Sequence, residues 1–141
     1  MEVRRFLPTD LMLIALQPHQ RSIQAEAVTP EYAAQLAAHG PSFTAYHGGL
    51  IVGCVGVIEQ WPGRALAYAF LSQDAGPYMV ALTLKIRRWL RDNPIRRVEA
   101  HVESTFEQGH RWAKALEFKF EGRMPKFWDD RSADLYARVS G

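Results

Sequence analysis

The segment from Glu103 to Gly122 constrains the fold of this chain more than any other. Its sequence, ESTFEQGHRWAKALEFKFEG, predicts the end of a strand, a short amphipathic helix over residues 106–116, and a strand that begins near Phe118. Strands and helices that alternate in this way are typical of α/β proteins, in which helices cover a sheet. The rest of the chain is therefore expected to supply the other strands of an α/β protein.

The length and charge of the chain limit both its domain count and its partners. With 141 residues, it is expected to form a single domain over residues 1–141. A hydrophobic content of 48% and a charged content of 23% are typical of a globular protein. The net charge of +2 is too small to favour a nucleic acid or an anionic membrane as partner.

The single cysteine, Cys54, excludes an internal disulfide and a paired-cysteine zinc site. It lies in the apolar run LIVGCVGV, so we expect a buried, unreactive thiol and no bound metal. No apolar run reaches the 18 or so residues of a membrane span, and the N-terminus MEVRRFLPTD lacks a signal-peptide core. These features predict a cytoplasmic protein.

The first part of the chain predicts one strand and two helices. Residues 2–6 suit a short strand, and Pro8-Thr9-Asp10 suits the start of a helix that continues to Leu16. Residues 17–28 lack periodicity and are expected to form a loop or a broken helix. Thr29 and Pro30 then provide a cap and a first turn for a helix that ends near residues 40–41.

The middle of the chain predicts three strands in a meander. Residues 42–46 and 50–60 suit two strands, joined at Gly48-Gly49, where both positions tolerate positive φ. The turn Trp61-Pro62-Gly63 leads to a strand over residues 64–71. This third strand is apolar on both faces, which is typical of a central strand.

The last part of the chain predicts two helices and three strands. Pro77 begins a helix that reaches about Asp92, and residues 97–103 alternate between apolar and polar as a strand does. After the helix over residues 106–116, we expect strands at 118–123 and 134–139, separated by a turn at Asp129-Asp130. The predicted order is β-α-α-β-β-β-α-β-α-β-β.

This order, together with Leu116-Glu117-Phe118 and Glu121-Gly122, resembles the GNAT superfamily of N-acetyltransferases. The family usually has glycine in the middle of the first motif, where this chain has Glu117. The resemblance implies a mixed, mostly antiparallel sheet of about seven strands, flanked by about four helices, whose fourth and fifth strands separate to admit CoA. In the segments RRFLPTDL, EYAAQL and QWPGRALA, the chain looks closest to small GNAT-like proteins of tailed phages and prophages.

The resemblance also implies a place for acetyl-CoA. The pantetheine arm would pair with the strand backbone at residues 69–71, and the pyrophosphate would lie against the loop of residues 72–78. The cofactor-binding residues expected on this basis are Phe70, Leu71, Ser72, Gln73, Gly76 and Tyr78. Within this loop, Asp74 would repel phosphate and Pro77 lacks an amide. An ordinary strand-to-helix turn is therefore an equally good interpretation.

The resemblance places the family's usual tyrosine acid at Ala113 in this chain, so that role is vacant or filled by another residue, with His110, Glu107 and Tyr136 as candidates. For the proton of the amine, the expected catalytic candidates are Glu59 and, on the polar face of residues 97–103, His101, Glu103 and Glu99. A carboxylate acting through water or a histidine of near-neutral pKa suits the deprotonation of an amine. The alternative for the polar face of residues 97–103 is a solvated or salt-bridged surface.

Two functions follow from these observations. The first is transfer of acetyl from acetyl-CoA to an amine of a protein or a small molecule, in a chain that is compatible with a homodimer. The second is a GNAT-fold protein of a phage or prophage that has lost catalysis and acts in assembly or binding. The loop of residues 124–128, MPKFW, suits the border of an acceptor pocket or a dimer face. A nucleic-acid site is not expected, because Arg87, Arg88, Arg91, Arg96 and Arg97 suit a solvated helix end.

Overall fold

The fold is described by a computed structural model that covers residues 1–24 and 28–140. Within these residues the chain forms seven strands and five α-helices. The strands are β1 (Glu2–Arg5), β2 (Ser42–His47), β3 (Leu50–Trp61), β4 (Arg64–Leu71), β5 (Arg97–Glu103), β6 (Lys119–Trp128) and β7 (Arg131–Val139). The helices are α1 (Pro8–Leu13), α2 (Pro18–Gln24), α3 (Pro30–Ala38), α4 (Met79–Asp92) and α5 (Glu107–Ala115). None of the helices in this part of the chain is long and apolar enough to cross a membrane.

The strands form one mixed sheet in the order β1-β2-β3-β4-β5-β7-β6. β1 with β2, β2 with β3, β5 with β7 and β6 with β7 are antiparallel, whereas β4 and β5 are parallel. The predicted mixed, mostly antiparallel sheet of seven strands is therefore confirmed. The helix count differs, because the stretch predicted as loop or broken helix contains α2. Residues 25–27 of that stretch lie outside the described residues.

Residues 1–59 and 67–82 form one compact unit. Its core combines side chains of α1, α3 and strands β3 and β4 with neighbouring loop residues, namely Phe6, Leu11, Ile14, Leu16, Ala33, Leu36, Cys54 and Phe70. Cys54 is fully buried, as predicted, and this burial raises the pKa of its thiol to about 12. The thiol is therefore protonated, and hence a weak nucleophile, at neutral pH.

Residues 60–66 and 83–140 belong to a second compact unit. Helix α5 lies against β5 where Gly109 faces Val102. A Cβ atom on Gly109 would stand 2.7 Å from side-chain carbons of both Val102 and Phe106, so glycine permits this close approach. The opposite residues of β5 and β7 include Ala100 with Tyr136 and His101 with Leu135. Directly opposed residues share a sheet face, which places Tyr136 and His101 on different faces.

Several element boundaries differ from the sequence prediction. α1 ends at Leu13 rather than at Leu16, and β7 begins at Arg131 rather than at residue 134. A short 3-10 turn, Gly76–Tyr78, precedes α4, so the α-helix begins at Met79 rather than at Pro77. Residues 124–128, predicted as a loop, belong to β6, whose pairing with β7 shifts register after Phe120 and again after Met124. Because β6 is at the edge of the sheet, Pro125 is tolerated there despite lacking an amide hydrogen.

Glu117 ends α5 in a backbone conformation that normally belongs to glycine. Its φ is 70°, and the amides of Glu117 and Phe118 donate to the carbonyls of Lys114 (2.9 Å) and Ala113 (3.0 Å). This is the Schellman arrangement, in which the residue after the helix adopts the left-handed region. The chain therefore leaves α5 through a left-handed turn that is formed without a glycine.

We expect Glu117→Gly to stabilise the protein by about 1 kcal/mol, because a side chain at positive φ is strained and glycine is not. The ion pair of Glu117 with Arg87 (3.4 Å) joins exposed groups and contributes little. Chemical denaturation of wild type, Glu117→Gly and Glu117→Ala checks this expectation. The alanine control loses the same ion pair but keeps the strain, so equal stability of the two variants would contradict it.

Candidate functional site

Beyond Leu66, strand β4 presents backbone amide and carbonyl groups on its edge away from β3. Among the described residues, the parallel ladder between β4 and β5 consists of three pairs, from Arg64 with Arg97 to Leu66 with Glu99, and β4 continues to Leu71. The Ser72 amide donates to the Val52 carbonyl of β3 (2.9 Å). Because successive residues of a strand point their amide and carbonyl to alternate edges, Leu71 and Ala69 face the other way.

The polar groups of Ala69 and Leu71 on this edge are bonded to the start of α2. The side-chain amide of Gln20 donates to the Ala69 carbonyl (2.5 Å) and accepts from the Leu71 amide (2.6 Å). The Gln17 amide donates to the Leu71 carbonyl (3.0 Å), and Leu16 forms an isolated bridge with Ser72. Residues 16–20 therefore act as a short additional partner along this edge of β4.

The loop between β4 and α4 satisfies its own amides. The amide of Gln73 donates to the Ala15 carbonyl (2.7 Å), and that of Asp74 donates to the Ser72 hydroxyl oxygen (3.0 Å). The amides of Ala75 and Tyr78 donate to carbonyls of Ser72 (3.1 Å) and Ala75 (2.8 Å), respectively. A phosphate cradle needs free amides that point at the ligand, and these four amides point at protein acceptors instead.

The expected cofactor-binding residues differ in what they expose. The Phe70 side chain is buried and packs near the rings of Tyr32 and Tyr68, with centroids 6.4 and 5.9 Å away. The side chains of Leu71 and Ser72 are also buried, whereas Gln73 and Gly76 are exposed. The half-buried ring of Tyr78 contacts His47, with centroids 5.0 Å apart. A ligand contact by Leu71 would therefore have to come from its backbone, whereas the Phe70 carbonyl faces Gly53 of β3 and is not on the ligand edge.

In the second unit, His110 and Tyr136 form a buried hydrogen-bonded pair. His110 Nε2 lies 2.9 Å from the Ser104 carbonyl and Nδ1 lies 2.8 Å from the Tyr136 hydroxyl. A carbonyl only accepts, so Nε2 carries the hydrogen, and in the neutral ring Nδ1 accepts from the tyrosine. Burial, reinforced by Asp134 and Glu107, raises the pKa of Tyr136, which therefore remains a protonated donor.

Asp134 lies beside this pair and is held by two donors. The Ser104 hydroxyl donates to Oδ1 (2.6 Å), Arg123 Nε donates to the same oxygen (2.9 Å), and His110 Nδ1 is 3.9 Å from Oδ2. Burial by itself would raise the pKa of Asp134, but the hydrogen bonds from Arg123 and Ser104 outweigh it and lower the pKa. The cluster thus contains one carboxylate, one phenol and one imidazole in contact.

The polar face of β5 is largely taken up by ion pairs. Glu99 accepts from Arg64 (2.8 and 2.9 Å) and from Arg97 (2.6 Å), and Arg97 also bonds Glu121. The bond from Arg64, opposed by burial and reinforced by Arg97, lowers the pKa of Glu99 to about 2. Glu99 is thus an ionised structural group, as the salt-bridged alternative for this face predicted.

The expected catalytic residues are not all brought together. In the second unit, His101 and Glu103 share one face of β5, whereas His110 bonds Tyr136 on the opposite face. His101 packs edge-on against Phe127, with centroids 4.8 Å apart, and burial lowers its pKa. Glu103 accepts from the Thr105 hydroxyl (3.2 Å). In the first unit, Glu59 is an exposed residue at the end of β3.

Two residues that matter at the β4 edge escaped the sequence analysis, namely Gln17 and Gln20. They lie in the aperiodic stretch of residues 17–28, and Gln20 meets Ala69 and Leu71 across 49 and 51 positions of sequence. A glutamine in a polar segment carries no local signal for such a contact. Ala113, the position at which the resemblance implies a tyrosine, is buried.

Comparisons with known proteins identify the fold. No protein-family model matches the chain, and no curated protein matches its sequence. Among solved structures, a candidate phosphinothricin N-acetyltransferase has a TM-score of 0.79 at 15% identity, covering 99% of this chain and 98% of that one. Ard1 from Thermoplasma volcanium has a TM-score of 0.76 at 17% identity, with 99% and 97% covered. The ribosomal-protein-alanine N-acetyltransferase from Brucella melitensis has a TM-score of 0.72 at 15% identity, with 99% and 100% covered. The chain therefore has the GNAT fold of these enzymes.

Proposed function

We propose that this protein is an acyl-CoA-dependent N-acetyltransferase that transfers acetyl from acetyl-CoA to an amine. The observation that carries the proposal is the β4 edge, where the Ala69 carbonyl and the Leu71 amide together hold a carboxamide, that of Gln20. The pantetheine arm of CoA contains secondary amides with the same donor and acceptor groups. A strand edge that offers one acceptor and one donor suits an extended arm, whose successive amides present an N–H to Ala69 and a C=O to Leu71.

Acetyl-CoA supplies an acetyl group activated as a thioester, and the amine forms the new C–N bond as the C–S bond breaks and CoA leaves as a thiol. In this chain, Ala69 and Leu71 would hold the pantetheine through their backbone. In the loop that follows β4, the phosphates would contact two exposed residues, Gln73 and Gly76. A Cβ atom at Gly76 would meet no atom within 4 Å, so the backbone there is accessible. His101 and Glu103 are the proposed acid–base candidates on one face of β5, with Glu59 and His110 as alternatives.

A second candidate function is supported by the same loop. Its amides at Gln73, Asp74, Ala75 and Tyr78 already have protein acceptors, and Ala113 occupies the family's tyrosine position. Both features suit a GNAT-fold protein, such as those of phages and prophages, that acts in assembly or binding with reduced CoA chemistry. This candidate predicts a folded protein whose melting temperature does not respond to acetyl-CoA.

Acetyl-CoA at about 100 times its dissociation constant is expected to raise the free energy of unfolding by about 2.7 kcal/mol. Thermal melts with an acetyl-CoA titration measure this effect. Gly76→Glu should weaken binding at least ~10-fold, because it adds a negative charge beside the phosphate loop. Gly76→Ala is the matched control, since a Cβ there meets no atom within 4 Å. Equal affinities of the two variants would place the phosphates elsewhere.

Turnover is tested by measuring thiol release from acetyl-CoA with three amine acceptors. A peptide with a free N-terminus, an N-blocked peptide with one lysine, and a polyamine separate the protein-directed acceptors from the small ones. Acetylation of any of them supports the enzyme and names its acceptor class. Turnover on none of the three, together with no binding of acetyl-CoA, would favour the second candidate.

A further inference from the structure

We propose that the Gln20 side chain is an internal competitor for the pantetheine arm, so that acyl-CoA binds only after this carboxamide leaves the β4 edge. The inference rests on the proposed function, because it concerns the same edge of β4. It adds that a side chain of the protein itself, Gln20, regulates the binding of acyl-CoA. Gln20 lies on α2, in the stretch for which the sequence predicted only a loop or broken helix.

The Gln20 carboxamide occupies both the Ala69 carbonyl and the Leu71 amide. Gln20 donates one hydrogen to the Ala69 carbonyl and accepts one from the Leu71 amide, at 2.5 and 2.6 Å. An extended ligand would use these two groups as a neighbouring strand does, with the N–H of one amide donating to the Ala69 carbonyl and the C=O of the next amide accepting from Leu71. The ligand and the side chain therefore cannot use this pair of backbone groups at the same time.

Gln17 limits how many hydrogen-bonding groups of β4 become free when the Gln20 side chain rotates away. Its backbone amide donates to the Leu71 carbonyl (3.0 Å), and that bond does not depend on the position of any side chain. When Gln20 turns away, Ala69 offers one acceptor and Leu71 offers one donor, which matches one N–H and one C=O from successive amides of an extended arm. Displacement of the Gln17 bond would instead require the backbone before α2 to move. The rotation of Gln20 is thus the smaller of the two changes.

The cost of this competition follows from population arithmetic. A ligand that binds only the open state has its apparent affinity reduced by the fraction of molecules in that state. If two hydrogen bonds keep Gln20 on the edge in about ten molecules of every eleven, removing it tightens binding roughly 10-fold. The effect should be confined to ligands that carry the pantetheine amides.

The experiment compares wild type with Gln20→Ala and Gln17→Ala by calorimetry with acetyl-CoA, pantetheine, and adenosine 3′,5′-bisphosphate. Gln20→Ala should bind acetyl-CoA and pantetheine roughly 10-fold more tightly than wild type. Gln17→Ala is the matched control, because it keeps the backbone donor to Leu71. Adenosine 3′,5′-bisphosphate has no amide arm, so all three proteins should bind it equally.

Amide hydrogen exchange at Leu71, followed by NMR, gives a readout that needs no ligand. Exchange should accelerate at least ~5-fold in Gln20→Ala and remain at the wild-type rate in Gln17→Ala. Equal acetyl-CoA affinity of wild type and Gln20→Ala would overturn the inference and leave the proposed function intact. Absence of acetyl-CoA binding to both proteins would overturn the two together. Binding to Gln20→Ala alone would support both.

Discussion

Asp10→Ala is expected to lower the free energy of unfolding by about 3 kcal/mol, because it removes the buried acceptor of several hydrogen bonds, one of them from the fully buried Thr44 hydroxyl. Asp10 is only 2% exposed, yet it accepts two bonds from Arg4 (2.7 and 2.9 Å). It also accepts from the Thr44 hydroxyl (2.6 Å) and from the Leu7 amide (2.9 Å) at the start of α1. Alanine leaves these donors without their partner, and this costs more than the original bonds contributed.

Chemical denaturation of Asp10→Ala against Glu31→Ala measures the effect. Glu31 is an acidic residue in the first turn of α3, but it is exposed, so its loss should cost less than about 1 kcal/mol. A loss at Asp10 that equals the loss at Glu31 would show that the cluster around Asp10 contributes nothing beyond a helix-end charge.

The loss of stability at acidic pH provides a second test of the hydrogen bonds around Asp10. Burial alone would raise the pKa of Asp10, but hydrogen bonds from Arg4, Thr44 and Leu7 outweigh it and lower the pKa below its usual 3.8. The stabilisation is therefore fully present above the pKa of the unfolded carboxyl and is lost as the pH falls through the lower folded value. Asp10→Asn, which cannot ionise, should show a shallower loss of stability below about pH 4 than wild type.

The fold could be predicted from the sequence because its elements carry local signals. The glycine pair at residues 48–49, the Thr29-Pro30 cap and the alternation of residues 97–103 each specify an element without reference to distant residues. The segment Leu116-Glu117-Phe118 likewise predicts where the last helix ends and the next strand begins. The structure has a turn there, with positive φ, although glutamate is not the residue that such a turn prefers.

The candidate site could be predicted only in part, because its hydrogen bonds join residues that are far apart in sequence. The backbone of residues 69–71 was expected to face a ligand, but nothing local to Gln20 indicates that its side chain reaches this edge. The same limit applies to Ser104 and Asp134, which lie beside His110 only once β5, β7 and α5 have packed, and to Arg123 of β6, which bonds Asp134. The alternation of residues 97–103 places Glu99 on a polar face, but it does not predict the bonds from Arg64, which lies 35 positions away on β4.

Gly40 shows how a residue with a correct local interpretation can have a larger tertiary role. The sequence predicts only that α3 ends near it. In the structure, a Cβ atom on Gly40 would stand 2.1 Å from the Val57 carbonyl oxygen of β3, far inside van der Waals contact. Backbone bonds hold this approach on both sides, from Val57 to Pro41 (3.0 Å) and from Glu59 to His39 (2.9 Å). The obstructing atom belongs to the backbone, so it cannot rotate aside.

Gly40→Ala is therefore expected to destabilise the protein by about 3–5 kcal/mol and to lower the melting temperature by roughly 10–20 °C. Gly49→Ala is the matched control, because a Cβ at Gly49 meets nothing within 4 Å, and it should be neutral or slightly stabilising. If Gly40→Ala fails to fold, Gly40→Ala combined with Glu117→Gly tests whether added stability recovers a folded protein with a lowered melting temperature. Equal melting temperatures of Gly40→Ala and Gly49→Ala would mean that α3 and β3 do not approach each other this closely at Val57.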